Sequence, residues 1–67
     1  MTIPQLISER RKALNLSLGD VGRACGYSGK GARSMVQRWE LGKAFPPPDR
    51  IRRLAAVLRL PIDALIP

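Results

Sequence analysis

Residues 17–42, SLGDVGRACGYSGKGARSMVQRWELG, hold two short helix signatures on either side of a glycine-bearing turn. Ser17 and Asp20 form a capping box, in which each side chain satisfies the other residue's amide at a helix start. Leu18, Val21 and Cys25 fall on one side of that helix, and Gly26 stops it. The helical pattern resumes from about Ala32, with Met35, Val36 and Trp39 on one face, and Gly42 ends it. Gly29 and Gly31 in between argue against helix, because glycine costs ~1 kcal/mol relative to alanine inside one. Either the second helix gains a turn at its start, or the loop Tyr27–Gly31 is enlarged. The glycine cost favours the loop and places the second helix at about 32–41.

Working outward, Thr2 can cap a first helix, with Pro4 in its first turn and Gln5 as capping-box partner. Ile3, Leu6, Ile7, Ala13 and Leu14 follow helical spacing, Arg10 interrupts their face, and Asn15 is a C-terminal stop. Residues 43–48, Lys-Ala-Phe-Pro-Pro-Pro, are expected to be extended, since each proline fixes its own backbone and disfavours helix before it. Ile51, Leu54, Ala55 and Leu58 give a fourth helix a core face. Pro61 opens a short fifth helix in which Ile62, Leu65 and Ile66 share a side. No segment alternates at period two. The expectation is a single all-α domain over residues 1–67, five short helices around one core, with residues 17–42 as its central motif.

Composition narrows the function. Twelve Lys and Arg against five Asp and Glu give a formal charge of +7 in 67 residues, a bias towards polyanionic partners. A single cysteine and no histidine exclude an internal disulfide and a structural zinc site. The same lack of histidine, of a ligand cluster and of mass for an enclosed pocket argues against an enzyme, a metal, a cofactor or a small-molecule ligand. No apolar run approaches the ~20 residues of a membrane span, and no charged leader precedes an apolar stretch, so the chain reads as cytoplasmic. Gly29-Lys30-Gly31 is no phosphate loop: Ala24 stands where that motif needs its first glycine, and Gly31 where it needs Ser or Thr.

Ser17-(x)3-Val21-Gly22-(x)3-Gly26 followed by Val36-(x)2-Trp39-Glu40-(x)-Gly42 resembles the Cro/cI-type (XRE) helix-turn-helix repressor family. The likeness runs on through Pro46, Ile51, Leu54-Ala55, Leu58, Ile62-Asp63 and Leu65-Ile66, and back to Ile7, Arg11 and Leu16. Each element alone is weak; the joint spacing is specific. The resemblance implies a lambda-repressor-like fold in which Gly22 lets the two helices cross closely. This chain departs from the pattern with Gly22 for the usual alanine, Cys25 for the usual leucine, and a separation from Gly26 to Trp39 about one helical turn longer.

The family's recognition helix presents its first turns to base edges, which here implies Arg33, Ser34, Gln37 and Arg38. Arginine pairs bidentately with guanine and glutamine with adenine, ~1–3 kcal/mol of discrimination each. Candidate phosphate contacts are Ser17, Lys30 in the glycine segment, and Lys43 just past the helix. The resemblance also implies a structural ion pair between Arg11 and Glu40. Trp39 is core, and Cys25 an inert buried thiol. Of Arg50, Arg52 and Arg53, whose spacing wraps around the fourth helix, at most one or two reach phosphate.

The implied partner is a near-palindromic double-stranded DNA operator bound by a homodimer. Phe45, Val57, Leu60, Ala64 and Pro67 are candidates for the dimer surface, although a place in the monomer core explains Phe45 and Leu60 equally well. Two alternatives remain: an antitoxin-like module that binds a partner protein, and a non-specific nucleic-acid binder.

Overall fold

The computed structural model describes residues 1–67. It contains helices α1 (Ile3–Ala13), α2 (Leu18–Ala24), α3 (Gly29–Glu40) and α4 (Pro48–Leu58), and no strand. The expected fifth helix is a single 3-10 turn, Ile62–Leu65. Both capping boxes form. Gln5 N donates to Thr2 Oγ1 at 3.2 Å and Thr2 N to Gln5 Oε1 at 2.9 Å. Asp20 N donates to Ser17 Oγ and Ser17 N to Asp20 Oδ2, both at 3.0 Å. Asn15 turns the chain between α1 and α2 with φ +57°, a conformation its short polar side chain tolerates.

The four helices and the 3-10 turn share one apolar core. Trp39, Ile7, Leu54, Leu58, Leu65, Val21, Val36 and Cys25 are its fully buried side chains. α1 contributes only Ile7 as a buried residue, and Ala13, expected on the same face, is exposed. Arg10 interrupts that face for a reason: its Nε donates to the Leu58 carbonyl at 3.1 Å. A carbonyl at a helix end has no intrahelical partner, so a cation from α1 closes α4. Leu65 is buried while Ile66, placed beside it by the sequence pattern, is 51% exposed; the tight 3-10 turn gives only one of them a place in the core. Pro48 is the first residue of α4, so the extended proline segment is shorter than expected. A proline at that position loses nothing, since its missing N–H would have been unsatisfied anyway.

The largest correction concerns α3. It begins at Gly29 and ends at Glu40, so it replaces the enlarged loop and the range 32–41. Only Cys25 to Ser28 separate it from α2. The packing of α2 on α3 overrides glycine's poor helix propensity. An added Cβ at Gly22 would lie within 2.5 Å of the Ala32 carbonyl carbon and 2.8 Å of the Ala32 Cα. Gly22 and Ala32 are both buried at this crossing. Seating Ala32 there, inside a formed turn, requires the helix to start one turn before it.

Candidate nucleic-acid interface

α3 divides into two faces. Ala32, Val36 and Trp39 are buried, with Met35 half-buried beside them. Lys30, Arg33, Ser34, Gln37 and Arg38 are all exposed. At 100° per residue these five lie on the side away from the core, so one uninterrupted stripe of donors runs along the helix. The stripe contains no carboxylate. The four expected base-reading residues therefore share a surface, and Lys30 joins them from the first turn of α3 instead of from a loop. Ser28, extended before the helix, makes no side-chain cap, and no acidic residue stands in the first turn. The opening amides of α3 thus face outward beside Lys30 without a negative side chain to neutralise them.

The start of α2 lies alongside. An open groove of about 580 Å³ is lined by Arg11, Ser17, Arg23, Lys30 and Arg33 among others. The Ser17 hydroxyl oxygen accepts from the Asp20 amide. The positive end of α2 is answered internally by Asp20, held below the usual carboxylate range first by the Ser17 backbone amide and then by the Ser17 hydroxyl. Arg23 donates to the same carboxylate at 2.8 Å in an exposed pair.

Arg11 and Glu40 hold α1 against α3. Arg11 Nε donates to Glu40 Oε2 at 2.6 Å and Nη2 to Oε1 at 3.1 Å, a two-pronged pair, while Nη1 donates to the Leu16 carbonyl at 3.0 Å. Their side chains are 14% and 10% exposed. Glu40 holds the Arg11 proton more firmly than usual through this bond, against the opposing effect of burial. Lys43 is exposed just beyond α3, its amide donating to the Arg38 carbonyl at 2.9 Å.

Charge counting gave no hint of Arg50. It turns inward from α4: its Nη1 donates to the Cys25 carbonyl at 2.9 Å, and its guanidinium lies 4.7 Å from the Tyr27 ring centroid. Gly26 takes φ +97°, a conformation L side chains rarely adopt, and the guanidiniums of Arg50 and Arg53 lie where a Cβ would be. Arg52 and Arg53 are exposed. Burial raises the pKa of Cys25, opposed by the nearby Arg50 and Arg53 charges, so the thiol is held protonated. Trp39 is 1% exposed and meets Tyr27 edge-on at 5.9 Å; its indole N–H has no partner within the protein.

Two helices joined by a four-residue turn, the second backed against the first and lined outward with donors, form the arrangement that a sequence-family comparison recognises. A model described as a helix-turn-helix domain matches residues 5–66. The chain belongs to that family. Comparisons with curated proteins and with solved structures give no match. The helix-turn-helix domain suggests DNA as partner, and the family is typically non-enzymatic. No helix is long and apolar enough to cross a membrane.

Proposed function

We propose that this helix-turn-helix protein is a sequence-specific transcriptional regulator of the Cro or repressor type, reading a near-palindromic operator with α3 in the major groove. The observation that carries the reading is the carboxylate-free stripe of Lys30, Arg33, Ser34, Gln37 and Arg38 opposite the buried face of α3. Its twelve residues span about 18 Å. The major groove is ~12 Å wide and admits one α-helix. Arg33, Ser34, Gln37 and Arg38 are assigned to base edges. Ser17, Lys30 and Lys43 are assigned to phosphates on either side, which fix the helix in register without reading sequence. Arg11 and Glu40 act structurally, holding α3 at its angle.

A single copy touches few base pairs, so the reading includes a homodimer with half-sites about one helical turn apart. Phe45, 47% exposed, and Pro67 at the C-terminus are the expected dimer residues that remain accessible. Val57, Leu60 and Ala64 are half-buried, Val57 and Leu60 against the core, and contribute less than the sequence pattern suggested. The reading places the protein with the chromosome in the cytoplasm.

Selection of bound duplexes from a random DNA pool tests the proposal, because it reports specificity, half-site spacing and symmetry together. The selected duplex is expected to outcompete random duplex by ~10³-fold or more at fixed salt. A preference under about tenfold rejects the specific regulator and leaves a charge-driven binder.

A further inference from the structure

We infer that Arg50 is a positioning residue for the α3 interface: it fastens the turn between α2 and α3 to α4 and so sets where the first turn of α3 stands. This inference rests on the DNA-binding reading above and adds to it a residue that touches no DNA. Two contacts meet on one guanidinium, and a third extends them to α3. Its Nη1 takes the Cys25 carbonyl at the end of α2. Its plane lies over Tyr27, in the turn itself. Tyr27 in turn packs edge-on against Trp39, the largest buried side chain of α3. A chain of contact thus runs from α4 through the turn to the middle of α3.

The turn needs such a tie. Gly26 and Gly29 both sit at positive φ, a side chain at Gly31 would meet nothing within 4 Å, and Ser28 provides no side-chain cap. Nothing in residues 26–31 except Tyr27 packs on the core. Glycine-rich segments have many backbone states to choose from, and the first turn of α3 follows directly. Lys30 projects from that turn and Arg33 from the start of the next. A displacement of ~1 Å there moves their donors out of hydrogen-bond reach of a base edge or phosphate. Arg50 suits the task because a planar guanidinium can stack on an aromatic face and donate to a carbonyl at once, which an ammonium cannot do in the same geometry. Asp49, 3.7 Å from Arg50 Nε and largely exposed, leaves the group's orientation to Cys25 and Tyr27.

The test compares wild type with Arg50→Ala and Arg50→Lys at a temperature where circular dichroism shows all three folded. Amide exchange is measured on the free proteins, and competition of the selected duplex against random duplex on the bound ones. In Arg50→Ala the amides of Gly26 and Tyr27, which donate to the Arg23 and Gly22 carbonyls, are expected to exchange about tenfold faster than in wild type while those around Val36 and Ile7 change little. The specific-to-random preference is expected to fall about tenfold with an unchanged salt slope, and Arg50→Lys to recover part of it. Uniformly faster exchange, an unchanged preference, or an equal loss on all sequences with the salt slope reduced by about one each overturns the inference; the last makes Arg50 a phosphate contact. If wild type shows no preference for any duplex, the regulator reading fails, and the exchange measurement still decides whether Arg50 holds the turn. Should Arg50→Ala not fold, Tyr27→Leu, which removes the stacked ring and spares the Cys25 bond, carries the same readouts.

Discussion

Gly22→Ala and Gly31→Ala add the same methyl group to a helical glycine, and the structure predicts opposite signs for them. Replacing glycine by alanine within a helix gains ~1 kcal/mol from reduced backbone entropy in the unfolded chain. At Gly31 nothing stands within 4 Å of the new methyl, so the gain survives nearly whole, and ~0.5–1 kcal/mol of added stability is expected. At Gly22 the methyl meets the Ala32 carbonyl carbon at 2.5 Å. Carbon atoms rest at about 3.5 Å or more, so α2 and α3 must part by ~1 Å. Overpacking a well-filled interior costs ~1–3 kcal/mol, and the upper end applies because the obstacle is backbone and cannot rotate away. Subtracting the helical gain leaves a net loss of about 2 kcal/mol. For a domain of this size that is a fall in Tm of roughly 8–16 °C, against a rise of about 2–8 °C for Gly31→Ala. Thermal unfolding followed by circular dichroism reads both. If Gly22→Ala melts at or above wild type, the close crossing that seats Ala32 is wrong, and with it the reason given for the early start of α3. If Gly31→Ala melts lower, the first turn of α3 is not helical.

Other consequences are simpler to check. Glu40→Ala leaves the nearly buried Arg11 without its carboxylate and is expected to cost about 2–3 kcal/mol in urea unfolding; Arg11→Ala should cost at least as much, and the double mutant much less than the sum. Additive losses would show that the pair is not coupled. Arg38→Ala is expected to weaken binding unevenly across operator variants, whereas Lys43→Ala weakens all sequences alike and lowers the salt slope by about one. Uniform losses from both would remove Arg38 from the base-reading face. Acid reports on Asp20: its pKa is lowered on folding, so the unfolded chain takes up a proton there first. The stability from its capping box is fully present above the ordinary carboxylate pKa, ~3.9, and disappears as pH falls through the lower folded value. Asp20→Asn should flatten the pH dependence of stability below pH ~4, and an unchanged slope would assign the acid sensitivity to another group.

Local causes and distant ones shaped different parts of this fold. The capping boxes of Thr2 with Gln5 and Ser17 with Asp20, and the turns at Asn15 and Gly42, lie within three or four residues of what they act on, so the sequence determined them by itself. The apolar spacing of Val21 with Cys25, Val36 with Trp39, and Leu54 with Leu58 likewise determined which helix faces are buried. From these the all-helical fold, the central α2–α3 unit and the outward side of α3 were legible, because a period of 3.6 fixes the polar face once the apolar one is known. The start of α3 was not. Gly29 and Gly31 weigh locally against helix, and only the crossing of Gly22 over Ala32, ten positions apart, reverses the balance. Arg10 on Leu58 and Arg50 on Cys25 are separated by 48 and 25 residues, and an arginine's spacing on its own helix says nothing about a carbonyl on another. The sequence alone settled the helices and their polarity, since those obey short-range rules. Tertiary packing decided where α3 begins and which cations hold the frame together, since both depend on backbone groups that folding alone brings within reach.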